Sequence, residues 1–123
     1  VICYKQRLKA NIIAHMELIG NVEGKNVVLV DDMVDTAGTL VKAAGLMIER
    51  GALSVRAVAT HGILSGGAIE RIEGSELKEL IISDTIPLKR KSSKIKVVPC
   101  APLFADVMSH VQNNISISNK FIL

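Results

Sequence analysis

The chain has 123 residues, enough for one compact domain with its own core. Hydrophobic residues make up 49% and aromatics only 2%, which argues against single-stranded nucleic-acid binding by base stacking. A formal charge of +3 and a pI near 9.0 suit anionic ligands without requiring nucleic acid, and no apolar run reaches the length of a membrane span.

In chain order, residues 1–4 (VICY) read as a short buried strand. Strand-like from its first residue and without a polar lead-in, this opening carries the expectation that a longer chain has been cut to one domain. A polar, basic segment follows (KQRLKAN), then an extended stretch and a turn at Glu23, Gly24 and Lys25. The next strand, 27–30, is apolar without alternation, as expected of a parallel strand covered on both faces. From Thr39 the apolar positions 40, 41, 44, 47 and 48 recur at helical spacing, with Gly51 at the place of a C-terminal cap. SVRAVATH is another strand, GGAIERIEGS a short helix or turn, and LKELIISD a further strand. After the polar loop KRKSSK come the strand IKVVPC and a helix over APLFADVMSHVQNN, apolar at 103, 104, 107, 108 and 111. The tail ISISNKFIL reads as an edge strand. The alternation predicts an α/β fold, a mainly parallel twisted sheet with helices on both faces.

The strand 27–30 ends in two adjacent acids, Asp31 and Asp32, and a short turn of small residues precedes the helix. Ligands of open parallel sheets collect at such carboxyl ends. As neighbours on extended chain the two carboxylates diverge, and they can accept hydrogen bonds from sugar hydroxyls, directly or through a hydrated divalent cation. Thr36, Ala37, Gly38 and Thr39 leave backbone amides approachable. Gly38 tolerates dihedrals that larger residues resist, and the helix start adds unpaired N–H groups suited to phosphate. Carboxylates followed by a phosphate cradle describe a receptor for a sugar phosphate. The bland alternative is a polar strand-to-helix loop with an ordinary cap. A nucleotide P-loop is excluded because the Gly-Lys-Ser/Thr element is missing.

The stretch VVLVDDMVDTAGT resembles the phosphoribosyl-pyrophosphate loop of the type I phosphoribosyltransferase fold. The form Asp-Asp-x-x-Asp-Thr-Ala-Gly-Thr is that of ribose-phosphate pyrophosphokinases, whereas ordinary transferases more often carry Thr-Gly-Gly-Thr. GNVEGK, ATHGILSGGAIERI, APLFADVMSHV and the Ser-rich end extend the likeness over nearly the whole chain, as the carboxyl-terminal half of a two-domain protein. The resemblance implies a single phosphoribosyltransferase-like domain over residues 1–123. It implies that Asp31, Asp35, Thr36, Ala37, Gly38 and Thr39 hold ribose 5-phosphate, with Asp32 near the ribose hydroxyls. It also implies a mobile basic loop at YKQR, with Lys5 as the catalytic lysine and Arg7 as its supporting arginine, also in contact with ribose 5-phosphate. Tyr4 and Gln6 depart from the family pattern there, and Gly67 stands where many relatives have proline.

The implied reaction moves the β,γ-diphosphoryl group of ATP onto the anomeric hydroxyl of ribose 5-phosphate, releasing AMP, with magnesium sharing the charge. Much of the ATP site and the metal ligands are expected outside this chain, so the 123-residue piece alone is expected to be inactive. The family implies a cytoplasmic homo-oligomer, a hexamer built from dimers, with neither nucleic acid nor membrane as partner. Two other readings stay open: a phosphoribosyltransferase, and a non-catalytic regulatory subunit, against which Lys5 and Arg7 argue. Ser116 and Ser118 resemble the serine-rich end that helps form an allosteric site between subunits; on sequence alone they belong to an edge strand. None of His15, His61 and His110 matches the family's metal-ligand position; His61, at a strand end beside Gly62, reads as an ordinary loop histidine, with bordering a ligand as the alternative, and His110 as a helix-surface or packing residue. The five basic residues from Lys89 to Lys96 read as a solvated loop. Cys3 and Cys100 form no ligand pattern and are expected to be reduced thiols.

Overall fold

The computed structural model describes the backbone of residues 2–9 and 12–120 and the side chains of residues 20–120. Four parallel strands form one sheet in the order β3 (Asn26–Val34), β4 (Ser54–Gly62), β5 (Leu77–Ser83) and β6 (Ile95–Val98). Helix α1 (Gly38–Glu49) links β3 to β4, α2 (Ala68–Glu73) links β4 to β5, and α3 (Ala101–Gln112) follows β6. Ahead of them, β1 (Ile2–Lys9) and β2 (Ile12–Ile19) pair antiparallel as a separate two-stranded sheet.

The pleat sorts the sheet into two unlike faces. Leu29, Ala57, Leu80 and Ile95 stand in register across the four strands and turn towards the helices, where Leu40, Ala44 and Met47 of α1 and Ile69 and Ile72 of α2 complete one core. Each fully buried aliphatic side chain contributes roughly 1.5–3 kcal/mol. The opposite face is open. Val28 and Val30 are 56% and 80% exposed, and beside them Glu79 accepts Arg56 at 3.8 Å and Lys96 at 2.5 Å. Among the described residues, therefore, helices cover one face of the sheet, where a cover on both was expected. The second amphipathic segment is indeed a helix, but none of the residues of α3 is buried.

Three local features follow from sequence chemistry. Gly51, at φ 86°, closes α1: its amide meets the Ile48 carbonyl at 2.9 Å and that of Ala52 meets Met47 at 3.0 Å, the paired bonds of a Schellman ending. Gly62 sits where an added Cβ would lie 2.5 Å from Ile82 Cδ1, so a larger residue there would force the buried Ile82 side chain to shift. Gly67 has φ −82°, a value close to the one proline imposes, so glycine's wider conformational freedom is not used there.

Two expectations are corrected. The basic segment at Lys5 and Arg7 is strand rather than loop: β1 runs through both, with Lys5 opposite Met16 and Arg7 opposite Ile13, because pairing with β2 satisfies the backbone groups of both segments. Register irregularities on either side of Arg7 interrupt this pairing. Residues 115–120 of the tail do not extend the sheet. Ser116 Oγ bonds Ser118 Oγ at 2.8 Å and accepts the Ser118 amide at 3.2 Å, turning the chain into a 3-10 segment over Ser118–Lys120. Residues 121–123 of the expected edge strand lie outside the described residues.

Candidate functional site

Strand β3 continues past the expected end at residue 30 and carries Asp31, Asp32 and Met33 within it, Asp31 opposite Ala59 and Met33 opposite His61. On the pleat Asp31 and Asp32 leave opposite faces, which keeps the two charges apart. Each has one oxygen engaged locally: Asp31 Oδ1 accepts the Asp32 amide at 3.0 Å, and Asp32 Oδ1 accepts the Met33 amide at 2.7 Å. Both side chains are exposed, leaving their remaining acceptor capacity towards solvent.

Residues 35–39 then turn the chain into α1. The left-handed residue is Ala37, at φ 61°, and not Gly38, a correction to the expectation that Gly38 supplies the unusual dihedral. What Gly38 supplies is space, since an added Cβ there would meet only Thr36 Oγ1, at 3.9 Å. No side chain caps the start of α1 and its first turn holds no acid. The amides of Thr36, Ala37 and Gly38 have no hydrogen-bond partner among the described residues. An uncapped helix start with neighbouring free amides is a receptor for an anion. Asp31, Asp32, Asp35, Thr36, Ala37, Gly38 and Thr39 are thus brought together at the carboxyl end of the sheet. Lys5 and Arg7 stand apart in sequence on the hairpin, whose strand β2 packs on α1; their side chains lie outside the described residues.

Of two residue groups at this edge, only His61 entered the sequence reading, as a loop histidine. Ser65 donates its hydroxyl to Asp35 Oδ1, and Arg71 Nη1 donates to the Thr36 carbonyl at 2.8 Å. His61 Nδ1 lies 2.8 Å from Thr85 Oγ1, and Ser83 Oγ and Thr85 Oγ1 both donate to the Thr60 carbonyl, at 2.5 and 3.3 Å. The signal for them was topological: in a parallel sheet the loop after β4 must emerge beside the loop after β3.

Elsewhere the polar groups serve packing. Of the five basic residues from Lys89 to Lys96, Arg90 pairs with Glu70 and Glu73, Lys94 donates to the Ser75 carbonyl and Lys96 holds Glu79. The hydrogen bond from Lys96 is the main cause that holds the Glu79 carboxyl below its ordinary range. His110 Nδ1 lies 2.8 Å from the Asp106 carbonyl, within α3. Among the described residues no group of three or more His, Cys, Asp or Glu side chains converges as a metal site, and no helix is long and apolar enough to cross a membrane.

The open parallel sheet, with acids closing one strand and an uncapped helix start beside them, defines an α/β domain whose carboxyl edge gathers exposed carboxylates and unpartnered amides. Residues 6–122 match the family profile described as the phosphoribosyl synthetase-associated domain, and the chain belongs to that family. The ribose-phosphate pyrophosphokinase of Wolinella succinogenes is 52% identical over 122 residues, 99% of this chain and 40% of that protein. The namesake in Porphyromonas gingivalis is 50% identical over 98% of this chain and 39% of its own length. The crystal structure of phosphoribosylpyrophosphate synthetase from Mycobacterium smegmatis superposes with a TM-score of 0.77 at 36% identity, covering 81% of this chain and 34% of that one. This chain thus spans about two fifths of the length of the curated relatives it matches.

Proposed function

We propose that the chain is the ribose 5-phosphate-binding, carboxyl-terminal half of a two-domain ribose-phosphate pyrophosphokinase. The observation that carries this reading is the set of unpartnered amides at residues 36–38, beside an uncapped helix and directly after Asp31 and Asp32. The amides and the helix start hold the phosphate, with Thr36 and Thr39 adding hydroxyl donors. Asp31 and Asp32 accept hydrogen bonds from the ribose hydroxyls. The names of the relatives supply the substrate class.

In the whole protein the anomeric oxygen of ribose 5-phosphate attacks the β-phosphorus of ATP. The bond to the α-phosphate's bridging oxygen breaks, AMP leaves, and the hydroxyl proton is released. Negative charge gathers on phosphoryl oxygens, and Lys5 and Arg7 are the cations of this chain that meet it. Bound magnesium would supply further positive charge against the transferring phosphoryl group. Two diverging carboxylates with no third ligand among the described residues do not make a cage for it, and the proposal places most of its protein ligands in the other half. The other half also brings most of the ATP site; a cytoplasmic homo-oligomer completes the proposal.

Calorimetric titration with ribose 5-phosphate tests the site. We expect saturable binding that Gly38→Val abolishes, because the new side chain fills the approach to the amides; unchanged binding by that variant would sink the reading. In the full-length protein, Lys5→Ala should lower AMP formation on the order of a hundred-fold, as loss of one cation at a transferring phosphoryl group does. Unchanged turnover would favour a regulatory subunit instead.

A further inference from the structure

The residues 35–37 do not hold their shape alone. The three successive carbonyls of residues 34–36 are engaged by the chain that follows β4. Val34 O accepts the Leu64 amide at 3.1 Å, Asp35 O accepts the Ser65 amide at 3.1 Å, and Thr36 O accepts Arg71 Nη1 at 2.8 Å. A fourth bond joins the side chains, from the Ser65 hydroxyl to the Asp35 carboxylate. The described peptide bonds are all trans, so each N–H points opposite the C=O of its own plane. Drawing the carbonyls of residues 34, 35 and 36 towards residues 64–71 therefore turns the amides of Asp35, Thr36 and Ala37 away from them, to the opposite side of the loop. Those of Thr36 and Ala37 are among the amides left without a partner.

This arrangement is held against local preference. Ala37 at φ 61° and Leu64 at φ 49° are both non-glycine residues in the left-handed region, a conformation that costs of order 1 kcal/mol for each and persists only where the surroundings enforce it. Both are buried, at 4% and 6% exposure, on the two segments that clasp each other. Arg71 is itself exposed, and among the described residues no carboxylate lies within ion-pair distance of its guanidinium. Its charge is thus not neutralised by a described carboxylate and stands on the carbonyl side of the loop, behind the amides.

We propose that Arg71, with Ser65, is a positioning residue for the phosphate of ribose 5-phosphate: the pair orients the amides of residues 35–37, and the guanidinium adds positive potential behind them. The inference rests on the sugar-phosphate reading of this loop. A hydrogen bond between a charged donor and a carbonyl is worth one to two decades in an equilibrium constant, and that range sets the expected effect.

The test uses the full-length protein and three variants, Arg71→Ala, Arg71→Lys and Ser65→Ala. Arg71→Ala should raise the KM for ribose 5-phosphate, and the inhibition constant of inorganic phosphate competing with it, on the order of ten-fold. The KM for ATP, kcat and the thermal midpoint should stay near those of the unaltered protein. Arg71→Lys should restore most of the affinity because an ammonium still donates to the Thr36 carbonyl, and Ser65→Ala should give a smaller rise of the same kind. Equal KM values for the sugar phosphate in Arg71→Ala overturn the proposal. So does a fall in kcat or thermal midpoint with both KM values moving together, which is the mark of a general structural role. If the unaltered protein binds neither ribose 5-phosphate nor inorganic phosphate, the proposed function fails, and this inference with it.

Discussion

Helices α1 and α3 look alike in sequence and fare differently in the fold. Each has twelve residues and an apolar stripe at helical spacing. Yet α1 buries Leu40, Ala43, Ala44 and Met47, while Leu103, Phe104, Met108 and Val111 of α3 are each more than half exposed. The difference lies in what each helix is offered. The connection from β3 to β4 forces α1 onto the sheet face that presents Leu29, Ala57 and Leu80. Helix α3 follows the last strand and is tied by polar bonds, the Cys100 amide to Asp84 Oδ1 at 2.8 Å at its start and Lys120 to Asp106 nearer its end. An apolar stripe specifies a helix that needs a partner, but it does not say which surface that partner is.

A matched pair of substitutions breaks or upholds this contrast, since each helix carries one methionine near the same point of its stripe. Met47 is 1% exposed, and Met47→Ala should cost about 2–5 kcal/mol in urea unfolding, through lost burial and the cavity left behind. A cost below about 1 kcal/mol would mean that α1 is not anchored as described.

Acid sharpens the contrast at an intermediate level. The Asp106 carboxyl is held below its ordinary 3.8 first by the hydrogen bond from Lys120, with the charges of Lys120 and His110 adding and partial desolvation opposing. A depressed carboxyl pKa means that the tie is fully present above pH 3.8 and is lost as pH falls through the lower folded value. Amide shifts around Asp106 in α3 should therefore move below pH 3.8, while those at Ala43 and Ala44 of α1, a stretch without a carboxylate, stay put. Asp106→Asn should produce the same shifts at neutral pH, and a transition centred above 3.8 would contradict the tie.

The smallest effect belongs to Met108, 69% exposed, where Met108→Ala should change the stability of this chain by no more than about 0.5 kcal/mol. A cost near that of Met47→Ala would show that α3 has a buried partner in solution.

Much of the candidate site was legible before any coordinates. Asp31 and Asp32 ending an apolar run, followed by small residues and a helical period, marked the carboxyl edge of a parallel strand, and the acids, the turn and the helix start lie together there. The position of the unusual dihedral was not legible. Gly38 was the obvious bearer, yet Ala37 takes φ 61°, because the carbonyls on either side of it are drawn to Arg71 and into α1. Ser65 and Arg71 were invisible for the same reason: residues about thirty positions away become neighbours only through strand pairing. The hairpin escaped as well, since charges at Lys5, Arg7 and Lys9 hid the pairing of β1 with β2 from a reading based on polarity.

Local chemistry alone determined the strand and helix periods, the Gly51 ending, and the order of acids, small residues and helix at the loop, because these depend on side chains a few positions apart. Tertiary structure decided which sheet face is covered, which of two similar helices is buried, and what holds residues 35–37 in place. Those outcomes turn on contacts between distant segments, where the entropy of closing long loops is offset only by the joint burial and hydrogen bonding of the finished sheet.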